Sequence, residues 1–380
     1  MEKQDKIKLK CITISGFKSF NSDEHTIEFG DITALIGANG AGKSNLVSFF
    51  KMIGYMTTAA LQQYIGQQGG ASSLLNFGFR HTPKMAAKLE FEHEQYSIIY
   101  EFILAGAAQD TMVFTEEFLH YNEKHCKYPN TITLTSGLKE SGLKISAKEQ
   151  KIKPLTIIQS FWDNCKVYQF HDTSSTSSIR NSGYINQNEF LYSDGGNLAA
   201  FLYGMKENEI TLPYYEKIVR HIKQVFPPFR DFSLQPSVRN NNYIILDWVG
   251  AKNIEYKLGP HQLSDGTLRF MALAALLLQP PQNLPSVIVI DEPELGLHPS
   301  AIVELASMVK MASQHTQVVL ATQSPALLDE FKPEQITVIE RDPVSKSSIF
   351  KRFTEEDLKI WLEDYTLSEI WDKNIIGGKP

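Results

Sequence analysis

ITALIGANGAGKS, residues 32–44, is the stretch on which the reading of this chain turns. Its second part, GANGAGKS at 37–44, matches G-x-x-x-x-G-K-[ST], a phosphate-binding loop. The apolar run Ile32-Thr33-Ala34-Leu35-Ile36 ahead of it is short enough for a buried strand. Behind it, Leu46, Val47, Phe49, Phe50, Met52 and Ile53 recur at helical spacing up to Gly54. The motif therefore stands between a strand and a helix, the setting in which it cradles a polyphosphate. Gly37, Gly40 and Gly42 let the backbone bend and come close to the phosphates. Lys43 can bridge β- and γ-phosphate oxygens, and the Ser44 hydroxyl can hold Mg²⁺. A glycine-rich turn with an incidental lysine would share the spelling but not the flanking strand and helix.

Composition sets wide bounds. The chain has 380 residues, enough for one large domain or two modest ones. Its hydrophobic content of 42% and charged content of 21% are ordinary for a soluble globular protein. A net charge of −6 gives no global reason to bind nucleic acid, although a local basic face is compatible with it. Cys11, Cys126 and Cys165 form no metal-ligand spacing and suggest no disulfide framework, so a reducing cytoplasm fits. MEKQDKIKLK at the start lacks the apolar core of a signal peptide. The longest strongly apolar run, Phe270 to Leu278, is about half a membrane span, so nothing requires a membrane.

Outward from the loop, residues 7–36 read as strands, with GFKSF at 16–20 between them. A mixed stretch rich in Gln, Gly and Ser fills 54–85. Strand-like segments follow at 86–92, 96–104, 112–121 and 131–135. In the second, Tyr96, Ile98, Tyr100 and Phe102 alternate, as in a half-buried sheet. No repeat of fixed period and no sustained heptad pattern is present, which argues against a long coiled-coil arm. A strand is expected at 166–170, then a mobile polar loop, HDTSSTSSIR at 171–180. A helical region over about 195–225 stops at Pro227-Pro228, and two strands are expected at Tyr243 to Trp248 and Ile254 to Leu258.

A second chemical block begins with LSDGTLRF at 263–270. It opens a helix apolar nearly all round, hence deeply buried. Ser264, Gly266 and the helix start form a second anion-binding surface, although a plain helix cap by Ser264 has the same spelling. Val287 to Ile290 is a buried strand ending in Asp291-Glu292-Pro293. A helix over about 300–313 leads to the strand Val318 to Ala321 and then TQSP at 322–325. Strand, crossover helix and strand predict a parallel sheet with ligand groups at its carboxyl edge. Asp291 can hold Mg²⁺ through water, and Glu292 can orient or deprotonate an attacking water.

GANGAGKS, LSDGT, VIVIDEPELGLHP and ATQSP, in this order, resemble the ABC-type ATPase family. GFKSF and EPELGLHP narrow the resemblance to the branch containing SMC, RecF and the OLD-like ATPases. Within it the chain looks like the stand-alone bacterial "predicted ATPase" group, whose members also carry a segment like TLSEIWDKNIIGGKP at 366–380. The resemblance implies an α/β fold, an ABC-type P-loop NTPase with a mixed β lobe, a parallel-sheet core and a helical and β-rich insertion. It implies one ATPase domain over 1–380. Residues 1–53 and 255–345 would form the nucleotide core, 54–254 an inserted lobe, and 346–380 a C-terminal segment.

The same resemblance assigns sites. Asn39, Gly40, Ala41, Gly42, Lys43, Ser44 and Asn45 would bind ATP as the Walker A loop. Asp291 and Glu292 match Walker B, with Ser44 and Asp291 on Mg²⁺ and Glu292 catalytic. Ser264 and Gly266 match the signature that reaches the γ-phosphate across a dimer, and Glu294 to His298 lies where the dimer-facing D-loop runs. Lys18 would lie near the α-phosphate. Three positions depart from the pattern. Gln323 stands where many relatives have the switch histidine; it can hydrogen-bond but not titrate near neutral pH. The Q-loop is unclear, with Gln169 and His171 as candidates beside a plain surface residue. Asp265 stands where transporters usually have glycine.

The function implied is an ATP-driven switch in which two copies sandwich two ATP molecules. Relatives of this branch act in DNA maintenance or anti-phage defence, often beside a separately encoded nuclease or effector. Direct action on DNA is an alternative, and so is a transporter's ATPase subunit. GFKSF and the long separation of Lys43 from Ser264 oppose the latter. A self-contained nuclease is disfavoured by the short stretch after Ser324 and by the absence of an acid cluster or H-x-x-x-H pattern in the inserted region.

Overall fold

Alternation builds the six-stranded antiparallel sheet of the chain's first part. Along Tyr96–Ala107, Ile98, Tyr100, Phe102 and Leu104 are buried and their neighbours partly exposed, the period-two pattern of a sheet with one face on a core. This strand pairs antiparallel with Lys84–His93 on one side and Thr111–Glu123 on the other. The sheet continues to Ile7–Ser15 and His25–Glu28 at one edge and to Asn130–Thr135 at the other, antiparallel throughout. The computed structural model describes residues 7–124, 129–237, 240–252 and 256–379. Two compact units divide the chain: 1–166, 333–365 and 369–380 form the first, and 167–332 with 366–368 the second. The residues expected in one nucleotide core thus fall in both units.

The first unit also holds the phosphate-loop strand. Ile32–Ile36 is buried at all five positions and runs parallel to Ile336–Arg341, which pairs antiparallel with Ser348–Arg352. The helix Lys43–Thr57 follows, and it packs on Leu61–Gln67 and Lys153–Asp163. Leu61–Gln67 and Ala71–Leu74 are two short helices within the Gln/Gly/Ser-rich stretch.

One buried carboxyl pins this unit. Glu117 is fully buried and accepts hydrogen bonds from Tyr100 Oη at 2.7 Å, the Ser141 hydroxyl and Gly142 N at 2.8 Å. Burial pushes its carboxyl above the usual glutamate range, against the pull of those donors. Because the folded value is raised, the residue's contribution to stability is greatest below the ordinary glutamate range. It is lost as pH rises through the raised value. Glu117→Gln should flatten that decline. Glu117→Ala, which strands three buried donors, should cost about 3 kcal/mol in urea denaturation.

In the second unit, Val287–Asp291 and Gln317–Ala321 run parallel in register from Val287↔Gln317 to Asp291↔Ala321, joined by the helix Pro299–Ala312. Every residue of both strands is buried, as a parallel sheet covered on both faces requires. Asp265–Leu277 has nine buried residues and packs against Pro299–Ala312 and Leu212–Val225.

Two expectations are corrected here. The helical region at 195–225 is two helices, Leu198–Glu207 and Leu212–Val225. Asn208 turns to extended backbone at the end of the first, and Pro213 fixes the first turn of the second. Residues 243–248 are not one strand. Asn240–Ile244 joins Pro236–Ser237 and Gly183–Tyr184, whereas Trp248–Gly250 joins Phe229–Phe232 and Lys257–Leu258. A tight turn, Asp247 N donating to Ile245 O at 2.9 Å, separates the two sheets. Ile254, where a further strand was expected to start, lies outside the described residues.

Cys11 and Cys165 are free and buried, and burial pushes their thiols up to about 11 and about 12; Cys126 lies outside the described residues. Among the described residues no helix exceeds 15 residues, and none is long and apolar enough to cross a membrane.

Candidate functional site

In the first unit the phosphate loop leaves the buried strand at Gly37 and enters the helix at Lys43. Polar contacts from distant segments hold its carbonyls. Arg341 Nε donates to Gly40 O at 2.9 Å, and the Ser348 hydroxyl donates to Ala41 O. Ser348 Oγ stands 2.8 Å from Ser19 Oγ, which accepts from Asn45 Nδ2 at 2.7 Å. Gly42 has a φ of 128°, and a Cβ there would stand 2.3 Å from Ser348 Oγ, so glycine is required for shape and for space. Lys43 is buried; its Nζ donates to Gly37 O and, at 3.2 Å, to Ala38 O. Asn39, Gly40 and Ser44 are exposed.

Lys18 sits against the same helix. Its Nζ donates to Ser48 Oγ at 2.6 Å, one turn beyond Ser44, and to Gln68 Oε1 at 3.3 Å. Burial, with the charge of Lys51, pulls its ammonium below the usual lysine value. Its φ of 47° is fixed by Lys18 N on Leu74 O at 2.7 Å and by Asn76 Nδ2 on Lys18 O at 2.6 Å.

In the second unit the acid pair stands at the carboxyl end of its strand. Asp291 is buried, and its Oδ2 accepts from Gln169 Nε2 at 2.8 Å. His171 Nε2 lies 3.0 Å from the Asp291 carbonyl, so both Q-loop candidates touch this residue. Glu292 has a φ of 45°, uncommon for a side chain of its size, with its N–H on Ala321 O at 2.8 Å. Gln323 Nε2 donates to Glu292 Oε1 at 3.0 Å, while Gln323 N donates to Glu294 Oε1 at 3.0 Å. Glu294 therefore fixes the backbone of the switch position. Burial pushes its carboxyl above the ordinary range, and nearby Glu292 adds to the shift. The Ser44 hydroxyl in the first unit and the Asp291 carboxylate in the second are each oxygen donors of a kind Mg²⁺ takes.

Ser264 caps its helix: Oγ accepts from Thr267 N at 3.1 Å. The side chain is exposed at that end. Gly266 is a close approach, since a Cβ there would stand 2.1 Å from Gly296 O in the EPELGLHP segment. The segment 171–180 is not a mobile loop. Thr173, Ser177, Ile179 and Arg180 are buried, because Arg180 draws the chain onto the LSDGT segment. Its guanidinium donates to Thr173 O at 2.8 Å, Pro260 O, Leu263 O at 3.3 Å and Asp265 Oδ1 at 2.7 Å. That contact holds the Asp265 carboxyl below the usual range.

Sequence reasoning missed Arg180, Arg269, Ser348, Arg341 and the role of Glu294. Arg269 donates to three carbonyls: Phe170 at 2.9 Å, His171 at 2.7 Å and Leu295 at 3.0 Å. It thereby ties the signature helix to the 169–171 segment and to the loop after Glu292. The one basic residue on a helix that is apolar from Leu268 onward was its available signal, since a charge in such a place needs partners. The hydroxyl of Ser348 offered none.

Two family models match the chain. One, described as "AAA domain", covers residues 11–224, more than half of it. The other, "AAA domain, putative AbiEii toxin, Type IV TA system", covers residues 212–329. A curated relative, "Putative ABC transporter ATP-binding protein MG303" of Mycoplasma genitalium, is 22% identical over 285 residues, 71% of this chain and 75% of that protein. The "Energy-coupling factor transporter ATP-binding protein EcfA2" of Lactococcus lactis is 33% identical over 75 residues, 20% of this chain and 25% of its own. Among solved structures, the Smc head bound to the C-winged helix domain of ScpA has a TM-score of 0.52 at 16% identity, covering 92% of this chain and 98% of that one. The Smc head with an extended coiled coil, bound to the C-terminal domain of ScpA from Pyrococcus furiosus, gives 0.53 at 14%, covering 94% and 99%. At such identities the likeness is one of fold.

Proposed function

We propose that this chain, which belongs to the AAA-domain family and has the fold of SMC/RecF-like ABC-type ATPases, hydrolyses ATP and works as a two-copy switch in the cytoplasm. The observation that carries the reading is the set of contacts around the acid pair. Gln169 holds Asp291, and Gln323 holds Glu292, whose backbone is strained at φ 45°. Strain of this kind persists where the surroundings over-determine it, and it gathers at sites of chemistry.

When bound, MgATP supplies the labile phosphoanhydride and an ion that neutralises its charge. Lys43 would bridge the β- and γ-phosphates, the loop residues 39–45 would wrap them, and Lys18 would face the α-phosphate. Ser44 would coordinate Mg²⁺ directly and Asp291 through water. Glu292 would take a proton from the attacking water while Gln323 orients it, giving ADP and phosphate. Ser264 and Gly266 of a second copy would complete the γ-phosphate shell. The exposure of Ser264 at its helix N-terminus supports that role.

The switch would control a separately encoded effector or nuclease, in anti-phage defence or DNA maintenance. Support comes from the toxin system named in one matching family model and from the ScpA domains bound to the two Smc heads. A second reading, a transporter's ATPase subunit, is favoured by the names of the two curated relatives. Co-purification with a membrane permease would mark it, whereas turnover stimulated by DNA would mark direct action on DNA.

Mixing tests the two-copy site. Lys43→Ala and Ser264→Arg, each inactive alone, should form mixed pairs with one intact site, built from Lys43 of the second variant and Ser264 of the first. Partial ATPase recovery is expected. A chain carrying both changes, mixed with either variant, should recover nothing. Wild-type turnover by Ser264→Arg alone would sink the shared site.

A further inference from the structure

TLSEIWDKNIIGGKP, singled out in the sequence, has no part in the chemistry above. Its residue Gly378 nevertheless lies beside the phosphate loop. After the helix Leu367–Asp372 the chain makes three left-handed residues, Asn374 at φ 58°, Gly377 at φ 79° and Gly378 at φ 82°. The turn is pinned at both ends. Ile375 N donates to Ile370 O at 3.1 Å, and Gly378 N donates to Glu340 Oε2 at 3.1 Å. Glu340 is itself paired with Lys351, and Lys379 Nζ donates to Asp372 O at 2.8 Å. Ile376 and Trp371 are buried.

Gly378 touches the base of the loop. A Cβ on it would stand 2.6 Å from Val338 Cγ1, 3.3 Å from Trp371 Nε1 and 3.5 Å from Gly37 Cα. Gly37 is hemmed in from another side as well, since its own Cβ would meet Ile339 O at 2.1 Å. The Gly37 carbonyl is the one that receives Lys43 Nζ. Gly37 thus has the strand Ile336–Arg341 close on one side and Gly378 close on another.

We infer that the Gly377-Gly378 turn is a positioning element of the phosphate loop: it backs Gly37 and holds the loop's first peptide in the orientation a polyphosphate needs. The physical reason is preorganisation. A loop already held in its binding shape loses less freedom when the ligand arrives, so its affinity is higher. A Cβ at 378 would be driven into Val338 Cγ1, would press on Trp371 Nε1, would reach Gly37 Cα at contact distance, and would face a φ that L residues rarely adopt. Trp371 supplies a reporter beside the contact: its indole N–H is buried and has no hydrogen-bond partner among the described residues.

The inference rests on the nucleotide reading above, and the test separates the two. Gly378→Ala in the full chain is expected to stay folded by circular dichroism and to bind MgATP about tenfold more weakly in calorimetric titration. Trp371→Phe keeps the packing but removes the reporter. Wild-type tryptophan emission should change on addition of MgATP, and Trp371→Phe should lose that change, a signal that a merely structural role for this segment would not produce. A folded Gly378→Ala that binds as tightly as wild type overturns the inference. If Gly378→Ala does not fold, a wild-type emission that bound MgATP leaves unchanged, or a change in Trp371→Phe equal to that of wild type, overturns it instead. A wild-type chain that binds no MgATP overturns the nucleotide reading as well.

Discussion

Lys43→Ala is expected to abolish ATP binding. The ammonium is buried at the helix start and lies on the carbonyls of Gly37 and Ala38, inside the curve of the loop. A polyphosphate arriving there would exchange those neutral acceptors for charged ones, and charge-assisted hydrogen bonds are about twice as strong as neutral ones. Alanine removes the cation and leaves two carbonyls without their donor. With each hydrogen bond to a charged group contributing about 1.5–3 kcal/mol, the loss of two weakens binding by at least about 10²-fold. Calorimetric titration with MgATP reads the effect, with circular dichroism to show that the helix Lys43–Thr57 persists. Near-normal affinity would remove the loop from the site.

Glu292→Gln should bind ATP and hydrolyse it about 10²–10⁴-fold more slowly, the usual cost of a missing general base. The substitution is a clean one in this setting. Glutamine keeps an oxygen for Gln323 Nε2 and leaves the backbone bond from residue 292 to Ala321 O in place, so the geometry is retained while the proton acceptor is lost. Steady-state phosphate release reads the rate, and the same titration as for Lys43 reads the affinity. Turnover equal to wild type would place activation of the water elsewhere. In the two-copy scheme this variant should also accumulate as the ATP-bound pair, because ATP stays intact and favours the closed form.

Much of the fold was legible because its signals are local. Ile32–Ile36, Val287–Asp291 and Gln317–Ala321 are runs of strand length, apolar but for Thr33, Asp291 and Gln317, and the structure buries all three. The alternation from Tyr96 marked a half-buried strand for the same reason, that side chains on a strand repeat every two residues. Apolar spacing and flanking turns marked the helices after the phosphate loop, after LSDGT and over about 300–313, although the first runs on through Gly54, where the spacing ended it, to Thr57. Local pattern failed where a few residues turn the chain. Asn208 breaks a run that reads as one helix, and the turn at 245–247 splits a run that reads as one strand.

By itself, then, the sequence determined the strands and helices that flank the motifs and where the glycines, Lys43 and the acid pair fall along them. Period and spacing are properties of neighbouring residues and need no partner. Only the tertiary structure decided what holds those groups in place. Ser348 on Ala41 and Arg341 on Gly40 join residues some three hundred positions apart, and Arg269 gathers carbonyls from 170, 171 and 295. Arg180 turns a serine-rich tract that reads as a loose loop into a buried clamp on Asp265. Such contacts carry no period. A buried guanidinium or hydroxyl takes whichever carbonyls the packed chain brings within reach, and leaving it unpaired there costs more than the order needed to pair it.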